Sequence, residues 1–186
     1  MKDYIDEYLN ESLRVAQLQL QLKPQFLQIA EEVLQIVNNN GTIFFCGNGG
    51  SAADSQHLSA ELIGRFKKNR RPIKSIALTT DTSVITSTGN DFSFNEIFKR
   101  QLQGLGDKND VLIAISTSGE SENIIEAVNY ANEIGMLTVA FTKDSKNTLA
   151  EIANLSLKIQ SKETGVIQQG HITFGQLLCY FLEENT

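Results

Sequence analysis

Residues 46–65 read C-G-N-G-G-S-A-A-D-S-Q-H-L-S-A-E-L-I-G-R, and this stretch decides the fold that the sequence predicts. The β-branched and aromatic run at residues 42–46 predicts a buried strand. Residues 52–66, which contain no proline, predict a helix that continues to Gly64. The glycine-rich turn at residues 47–51 joins the strand to the helix. This arrangement brings free backbone N–H groups to a helix N-terminus, where a phosphate or another anion binds readily.

The predicted helix carries His57 and Glu61 four residues apart, and therefore on one face. Such a pair can supply a general base and a metal ligand. It can equally be a solvated pair of neighbours without a catalytic role. The glycine-rich turn is similarly open, because it matches neither the dinucleotide-binding pattern nor the P-loop pattern. This stretch alone therefore allows a functional and a purely structural interpretation.

Composition limits the classes of function. The chain has 186 residues and a formal net charge of −6, which argues against direct nucleic-acid binding through bulk charge. The basic run at residues 67–71 is the local exception, and we expect it to be a solvated loop. Cys46 and Cys179 lie in apolar surroundings and predict buried, reduced thiols. We expect a cytoplasmic protein without a signal peptide or a membrane span.

Predicted strands and helices alternate along the chain without hairpin signals. The strands are expected at residues 42–46, 75–79, 110–116, 137–141 and 155–159, the last of them at a sheet edge. The helices are expected at residues 1–22, 24–37, 52–66, 80–87, 94–105, 122–134 and 166–182, with a loop at residues 89–91. This alternation predicts an α/β three-layer sandwich in which helices cover both faces of a parallel sheet. The amphipathic helix at residues 1–22 has little nearby sequence to cover it, so we expect it to pack against another subunit.

A second turn strengthens the case for a phosphate site. Residues 116–121 follow the clearest predicted strand and include four hydroxyl side chains, which belong to Ser116, Thr117, Ser118 and Ser121. One hydroxyl is enough to cap the following helix. Both turns lie beyond the carboxyl ends of strands, where ligands bind in open parallel sheets. Together the two turns predict a phosphate-binding site.

Four segments together resemble the sugar isomerase (SIS) domain, and more closely the sedoheptulose-7-phosphate isomerases, also called phosphoheptose isomerases. They are residues 46–65, Gly89-Asn90-Asp91, residues 115–119 and Ile167-Gln168. The resemblance covers nearly the whole chain. It implies a flavodoxin-like, five-stranded parallel sheet and a single SIS domain over residues 1–186, with a helical extension at about residues 1–40.

The resemblance also implies an activity. Members of the family convert sedoheptulose 7-phosphate to D-glycero-D-manno-heptose 7-phosphate, at the start of heptose synthesis for lipopolysaccharide or capsule. They form homotetramers with active sites at subunit interfaces, and some bind zinc there. No organic cofactor and no membrane partner are implied. For this chain we therefore expect a phosphorylated sugar as substrate.

Site residues follow from the resemblance position by position. His57 and Glu61 match catalytic residues, and both match ligands in the zinc-bound members together with Gln168. A larger set matches positions that contact the substrate. Its members are Asn48, Gly49, Gly50, Ser51, Arg65, Asn90, Asp91, Ser116, Thr117, Ser118, Ser121, Gln168 and Gln176.

The chain departs from the family at three positions near its last helix. Gln176 stands where the family has a histidine that acts as an acid–base group and a metal ligand, and glutamine cannot titrate. Gly165 and Val166 replace an acidic residue and an arginine, which we place just before the helix. We expect slow turnover, with His171, Asp91 or water in the role of the missing histidine.

The alternative is a non-catalytic SIS protein that binds a phosphosugar or a protein partner. A replication-initiator-associating protein with the same fold and tetramer, but without the catalytic His and Glu, is the example. Retention of Glu61 and of the hydroxyl-rich turn favours the enzyme. The three departures favour the binding protein.

Overall fold

The computed structural model describes residues 3–186 and contains one five-stranded sheet in which every neighbouring pair of strands is parallel. The strands are β1 (Ile43–Gly47), β2 (Ser75–Ala77), β3 (Val111–Ile115), β4 (Leu137–Lys143) and β5 (Leu155–Ile159). Their spatial order is β2-β1-β3-β4-β5. This is the flavodoxin-like order, in which β5 lies at an edge. The predicted fold class is confirmed.

Helices cover both faces of the sheet and form the outer layers. They are α1 (Asp3–Gln19), α2 (Lys23–Asn38), α3 (Gly50–Ile63), α4 (Thr82–Asp91), α5 (Lys99–Leu105), α6 (Glu122–Glu133), α7 (Thr148–Ile152) and α8 (Thr164–Asn185). Short 3₁₀ turns lie at Leu20–Leu22 and Phe94–Glu96. None of the helices between residues 3 and 186 combines the length and apolar character needed to cross a bilayer.

The apolar strands divide the interior into two cores, because successive side chains point to opposite faces of a sheet. One core lies under α2, α3 and α8, and the other under α5, α6 and α7. From β1 and β3, the first core receives Ile43, Phe45, Val111, Ile113 and Ile115. The second receives Phe44, Cys46, Leu112 and Ala114. Strands buried on both faces read as continuous apolar runs, which is why they were recognisable in the sequence.

Several predicted boundaries were wrong. Residues 89–91, expected to be a loop, form the last turn of α4, where the Phe92 N–H still donates to the Thr88 carbonyl at 3.0 Å. The helix expected at residues 94–105 is a 3₁₀ turn followed by the shorter α5. The prediction missed α7, which begins where the Asn147 side chain accepts the N–H of Ala150 at 2.9 Å. Residues 1–2 of the first predicted helix lie outside the described residues.

Candidate active site

The site is built where two neighbouring strands send their chains to opposite faces of the sheet. Gly47 at the end of β1 and Ile115 at the end of β3 are paired in register. The chain after β1 enters α3, which packs on the first core, whereas the chain after β3 enters α6, which packs on the second. The two loops therefore leave the sheet at one level and toward opposite faces, which is the arrangement that forms a crevice in open parallel sheets. Such a switch point is the usual ligand site of an open parallel sheet.

The first loop lies directly against α8. A Cβ added at Gly50 would collide with the Gln168 side-chain amide. Glycine at this position therefore leaves room for the Gln168 side chain to lie against the loop. The structure thus brings Gln168 to the loop that contains Asn48, Gly49 and Ser51, as the sequence predicts for a shared site.

A reciprocal amide pair joins the first loop to the start of α6. The side-chain N–H₂ of Asn48 donates to Asn123 Oδ1 at 2.9 Å, and Asn123 returns the same bond to Asn48 Oδ1, also at 2.9 Å. Asn123 is buried. The Asn48 side chain is thus engaged in the fold, and it holds the two loops together. The sequence analysis did not identify Asn123 as part of the site. The only sign of its role in the sequence is that an amide side chain stands in the first turn of an otherwise apolar helix face.

Hydroxyl groups converge in the second loop. Ser116 Oγ lies 3.3 Å from both Ser118 Oγ and Ser121 Oγ, and it accepts the N–H of Gly119 at 3.1 Å. Ser121 precedes the first residue of α6, yet its hydroxyl makes no capping bond to the helix. The half-buried Thr117 lies in the same loop. A cluster of hydroxyls beside free helix N–H groups is suited to bind a phosphate.

The segment before α7 supports this second loop. Gly119 has φ +70°, and a Cβ at this position would strike the Asn147 side chain. The Leu149 N–H donates to the Gly119 carbonyl at 3.0 Å. The Glu120 carboxylate accepts the Thr148 hydroxyl at 2.7 Å and the Thr148 N–H at 3.0 Å, and these bonds lower the pKa of Glu120. The loop is therefore held in shape by contacts with residues 147–149.

Three titratable side chains share one face of α3. His57 Nε2 lies 3.1 Å from Glu61 Oε1, and the Glu61 side chain is 24% exposed. Asp54 lies one turn before His57 and is half-buried. Burial raises the pKa of the Asp54 carboxyl, and nearby His57 opposes this shift. Its Oδ2 is buried and has no hydrogen-bond partner within residues 3–186. Sequence reasoning missed Asp54, although its spacing from His57 and Glu61 is helical.

Helices α3 and α8 run alongside each other in the same direction. Gly50 of α3 faces Gln168 of α8, and further along both helices Leu58 packs so closely on Gly175 that a Cβ would not fit. Gln176, next to Gly175, therefore lies at the level of His57 and Glu61.

Gly165 and Val166 lie in the first turn of α8, and not before the helix as predicted. A Cβ at Gly165 would lie 2.5 Å from the Tyr8 hydroxyl of α1, and Val166 is buried in the first core. Both positions, where the resemblance implies charged residues, are used for packing in this chain.

His171 cannot supply the acid–base group that the side chain of Gln176 lacks. Its ring is fully buried between α8 and β4, with Nε2 3.2 Å from the Thr142 carbonyl oxygen. Burial lowers the pKa of His171 to about 4, although the bond to Thr142 acts in the opposite direction. The ring is therefore neutral at physiological pH and does not reach the crevice. Of the three candidates expected for this role, which were His171, Asp91 and water, burial excludes His171.

Three predicted residues stand apart from the two loops. Arg65 is exposed, two residues beyond the end of α3. Asn90 and Asp91 are exposed at the end of α4, and their side chains hydrogen-bond to each other at 2.8 Å. In the described part of the chain, none of the three forms a side-chain hydrogen bond with either loop. Their contact with a ligand stays a prediction.

The donor set does not fit a zinc site. Residues 3–186 contain no group of three His, Cys, Asp or Glu side chains placed to hold a metal ion. His57 and Glu61 bond to each other, and the third predicted donor, Gln168, is an amide that lies against Gly50. Catalytic zinc is normally held by three imidazole, thiolate or carboxylate ligands. The zinc site implied by the resemblance is therefore not supported by these residues.

The fold defines an α/β protein with a candidate anion-binding site at the switch point of a parallel sheet. The family model described as SIS domain matches residues 6–143. Relatives named phosphoheptose isomerase align over most of the chain. The one from Aquifex aeolicus is 46% identical over 86% of this chain and 84% of its own. The one from Aneurinibacillus thermoaerophilus is 40% identical over 99% of this chain and 94% of its own.

A solved structure agrees with these sequence matches. The phosphoheptose isomerase from Neisseria gonorrhoeae has a TM-score of 0.91 and 37% identity, over 98% of each chain. The chain belongs to the SIS domain family and, within it, to the phosphoheptose isomerases. The resemblance read from the sequence is confirmed.

The burial of His171 predicts a specific loss of stability in acid. The unfolded chain protonates this ring near its ordinary pKa of 6.5, whereas the folded protein does so only near pH 4. Its contribution to stability is therefore complete above about pH 6.5 and is lost as the pH falls toward 4, by about 3 kcal/mol in total. Urea unfolding at about pH 7 and about pH 4.5 should show that His171→Gln loses less stability between the two pH values than the wild type.

The matched control is Thr173→Ser, a change at an exposed position of the same helix that removes no titratable group. This variant should keep the wild-type dependence on pH. Equal losses for wild type and His171→Gln would contradict the burial of a neutral ring.

Proposed function

We propose that the protein is an aldose–ketose isomerase that converts sedoheptulose 7-phosphate to D-glycero-D-manno-heptose 7-phosphate. The observation that carries this proposal is the paired exit of the two loops from β1 and β3. It places the Ser116 hydroxyl cluster and the helix with Glu61 beside one crevice. The relatives named phosphoheptose isomerase, which align over nearly the full chain, support the same reaction. Residues 1–186 would act as one SIS domain with an N-terminal helical extension, early in heptose synthesis.

The phosphate would bind in the second loop. The hydroxyls of Ser116, Ser118 and Ser121 would donate to its oxygens, and the N–H groups at the start of α6 would complete the site. The net charge of −6 makes long-range attraction of an anion unfavourable, so this local cradle would supply the affinity. Gly49, Gly50 and Ser51 would contact the sugar from the first loop, and Gln168 would approach it from α8.

Isomerisation requires a proton to move between C1 and C2, and another to move between the two oxygens. The Glu61 carboxylate would take the carbon-bound proton and return it to the neighbouring carbon of a cis-enediol. His57, 3.1 Å from Glu61 Oε1, would hold the carboxylate in one orientation. The carbon transfer therefore needs no group that the chain lacks.

The proton transfer between the two oxygens has no well-placed acid–base group among residues 3–186 of this chain. Gln176 cannot titrate, and His171 is buried and neutral. The remaining acids are Asp54 on the same face of α3, Asp91 at the end of α4, and water. A positioned acid–base group is worth about 10²- to 10⁴-fold in rate, so we propose a slow isomerase.

The second candidate function is a phosphosugar-binding or partner-binding protein without catalysis. It is favoured by the packing roles of Gly165 against Tyr8 and of Val166 in the core, together with Gln176 at the level of His57. The intact Glu61–His57 pair favours the enzyme. An isomerase and a phosphosugar-binding protein would both bind the sugar phosphate, but only the isomerase would turn it over.

A homotetramer is part of the proposal. Helix α1 exposes apolar side chains at helical spacing, with Ile5 47%, Leu9 55% and Leu13 64% exposed. An apolar stripe of this kind is stable in water when another subunit covers it.

Light scattering at micromolar concentration should therefore give four times the 20.6 kDa chain mass. Leu9→Glu should lower the mass, because it places a charge in the stripe. Asn10→Glu, an exposed polar neighbour on the same helix, should leave the mass unchanged. A wild-type protein that scatters as a monomer would remove the tetramer from the proposal.

The proposed activity is tested by an aldose-formation assay on sedoheptulose 7-phosphate, with chelator and with added zinc. Wild type should turn over slowly in both conditions. Glu61→Gln should lower turnover by at least about 10²-fold, because it removes the only group assigned to the carbon transfer. Gln176→His should raise turnover by at least about tenfold, since an imidazole at that level of α8 can move the second proton.

Glu133→Gln, an exposed carboxylate at the end of α6, is the matched control and should behave as wild type. Isothermal calorimetry on the same variants separates binding from turnover. If wild type and Gln176→His are both inactive while the sugar phosphate still binds, the isomerase proposal fails and the binding function replaces it.

A further inference from the structure

A buried carboxylate near the end of α8 organises the segment that follows α3. The Glu183 side chain is completely inaccessible to solvent. Its two oxygens accept three consecutive backbone N–H groups, from Phe66 at 3.0 Å, Lys67 at 2.7 Å and Lys68 at 2.8 Å. Burial raises the pKa of Glu183, but these three bonds and nearby Arg70 outweigh it and the pKa is lowered. The carboxylate therefore stays ionised and holds residues 66–68 in one conformation.

Arg70 joins this carboxylate to the last turn of α3. Its Nη2 donates to the Glu61 carbonyl oxygen at 2.9 Å and its Nη1 to the Leu62 carbonyl oxygen at 2.8 Å. Its Nε lies 3.3 Å from Glu183 Oε2, and only 9% of its side chain is exposed. The prediction that residues 67–71 are a solvated loop was therefore wrong for Arg70, which is buried against the Glu183 carboxylate and two backbone carbonyl oxygens.

The guanidinium satisfies carbonyl groups that a helix end leaves without intrahelical partners. A cation at this end also complements the negative end of the helix dipole. Without such a partner, the last turn of a helix frays easily. In this helix the last turn carries Glu61, so the group bonded to its backbone also limits the movement of its side chain.

We propose that Arg70 and Glu183 are positioning residues that hold the Glu61 carboxylate in its reactive place at the end of α3. The proposal rests on the isomerase function proposed above. Neither residue touches the crevice loops through a hydrogen bond within residues 3–186, so both act through the backbone of α3 and of residues 66–68. A displacement of about 1 Å at a reacting group can cost about 10²-fold in rate. Loss of either residue should therefore reduce kcat and leave substrate affinity intact.

A surface ion pair between the same two segments provides a matched control. Lys68 Nζ contacts the Glu184 carboxylate, one residue along the helix from Glu183. More than half of the Lys68 side chain is exposed, and it makes no contact with the α3 carbonyls. Lys68→Met therefore removes a tie between α8 and this segment but keeps the Arg70 bonds to Glu61 and Leu62.

The test measures kcat and KM on sedoheptulose 7-phosphate for wild type, Arg70→Met, Arg70→Lys and Lys68→Met. The enzyme concentration of each protein is corrected for its folded fraction, which is taken from its unfolding curve. We expect kcat of Arg70→Met to fall about 10- to 100-fold with KM within about twofold of wild type. Arg70→Lys keeps the charge but loses the two-pronged donation, so it should recover part of the loss. Lys68→Met should match wild type. Equal kcat in Arg70→Met and Lys68→Met would overturn the proposal and leave the pair a purely structural role.

Hydrogen exchange separates this inference from the isomerase proposal. In Arg70→Met, backbone amides of residues 60–66 should exchange faster than in Lys68→Met, because the end of α3 opens more often. If wild type has no isomerase activity, the isomerase proposal fails, and this exchange comparison alone decides whether Arg70 holds the Glu61 turn. Unchanged exchange would overturn the positioning role. Should Arg70→Met fail to fold, Arg70→Lys serves for both readouts with the same criteria.

Discussion

The structure depends on one topological constraint, which is that two hydrogen-bonded neighbours of a parallel sheet send their chains to opposite faces. β1 leads to α3 on one side and β3 leads to α6 on the other, while Gly47 and Ile115 remain paired in register. The N-termini of α3 and α6 therefore lie at the same edge of the sheet, and the two helices do not overlap because they cover opposite faces. Backbone N–H groups at such ends attract anions even in a chain of net charge −6. The crevice thus follows from strand order, and the side chains around it adapt it to a ligand.

Close packing of α8 on α3 connects this crevice to the chemistry. Gly50 and Gly175 let α8 approach until Gln168 reaches the first loop and Gln176 lies at the level of His57. At the far end, Glu183 and Arg70 hold the residues that follow α3. One helix therefore supports the other along its full length. Residues with no direct role in proton transfer can consequently control the position of the Glu61 carboxylate.

Much of this was accessible from the sequence, for identifiable physical reasons. Strands buried on both faces give continuous apolar runs, so all five strands were placed to within a few residues. Glycine-rich and hydroxyl-rich turns after β1 and β3 marked the crevice, because their residue types serve backbone approach and anion binding. Gln176 was recognised as unable to titrate from its chemistry alone.

The features that the sequence did not predict depend on contacts between residues far apart in the chain. The Asn48–Asn123 pair, the salt bridge of Arg70 with Glu183 and the burial of His171 each join segments separated by 29 or more residues. Nothing in the local pattern distinguishes a buried arginine from its solvated neighbours at residues 67–71. Likewise, α7 is only five residues long, too short for a periodic signal, and its start is set by the Asn147 cap.

In the proposed mechanism, both loops bind one phosphosugar at the β1–β3 crevice. Hydrogen-exchange mass spectrometry with and without saturating sedoheptulose 7-phosphate tests it most directly, since bound N–H groups exchange more slowly. We expect slower exchange in peptides that contain residues 48–52 and in those that contain residues 117–123, at the same sugar concentration. Slower exchange confined to other parts of the chain, or to only one of the two loops, would contradict it.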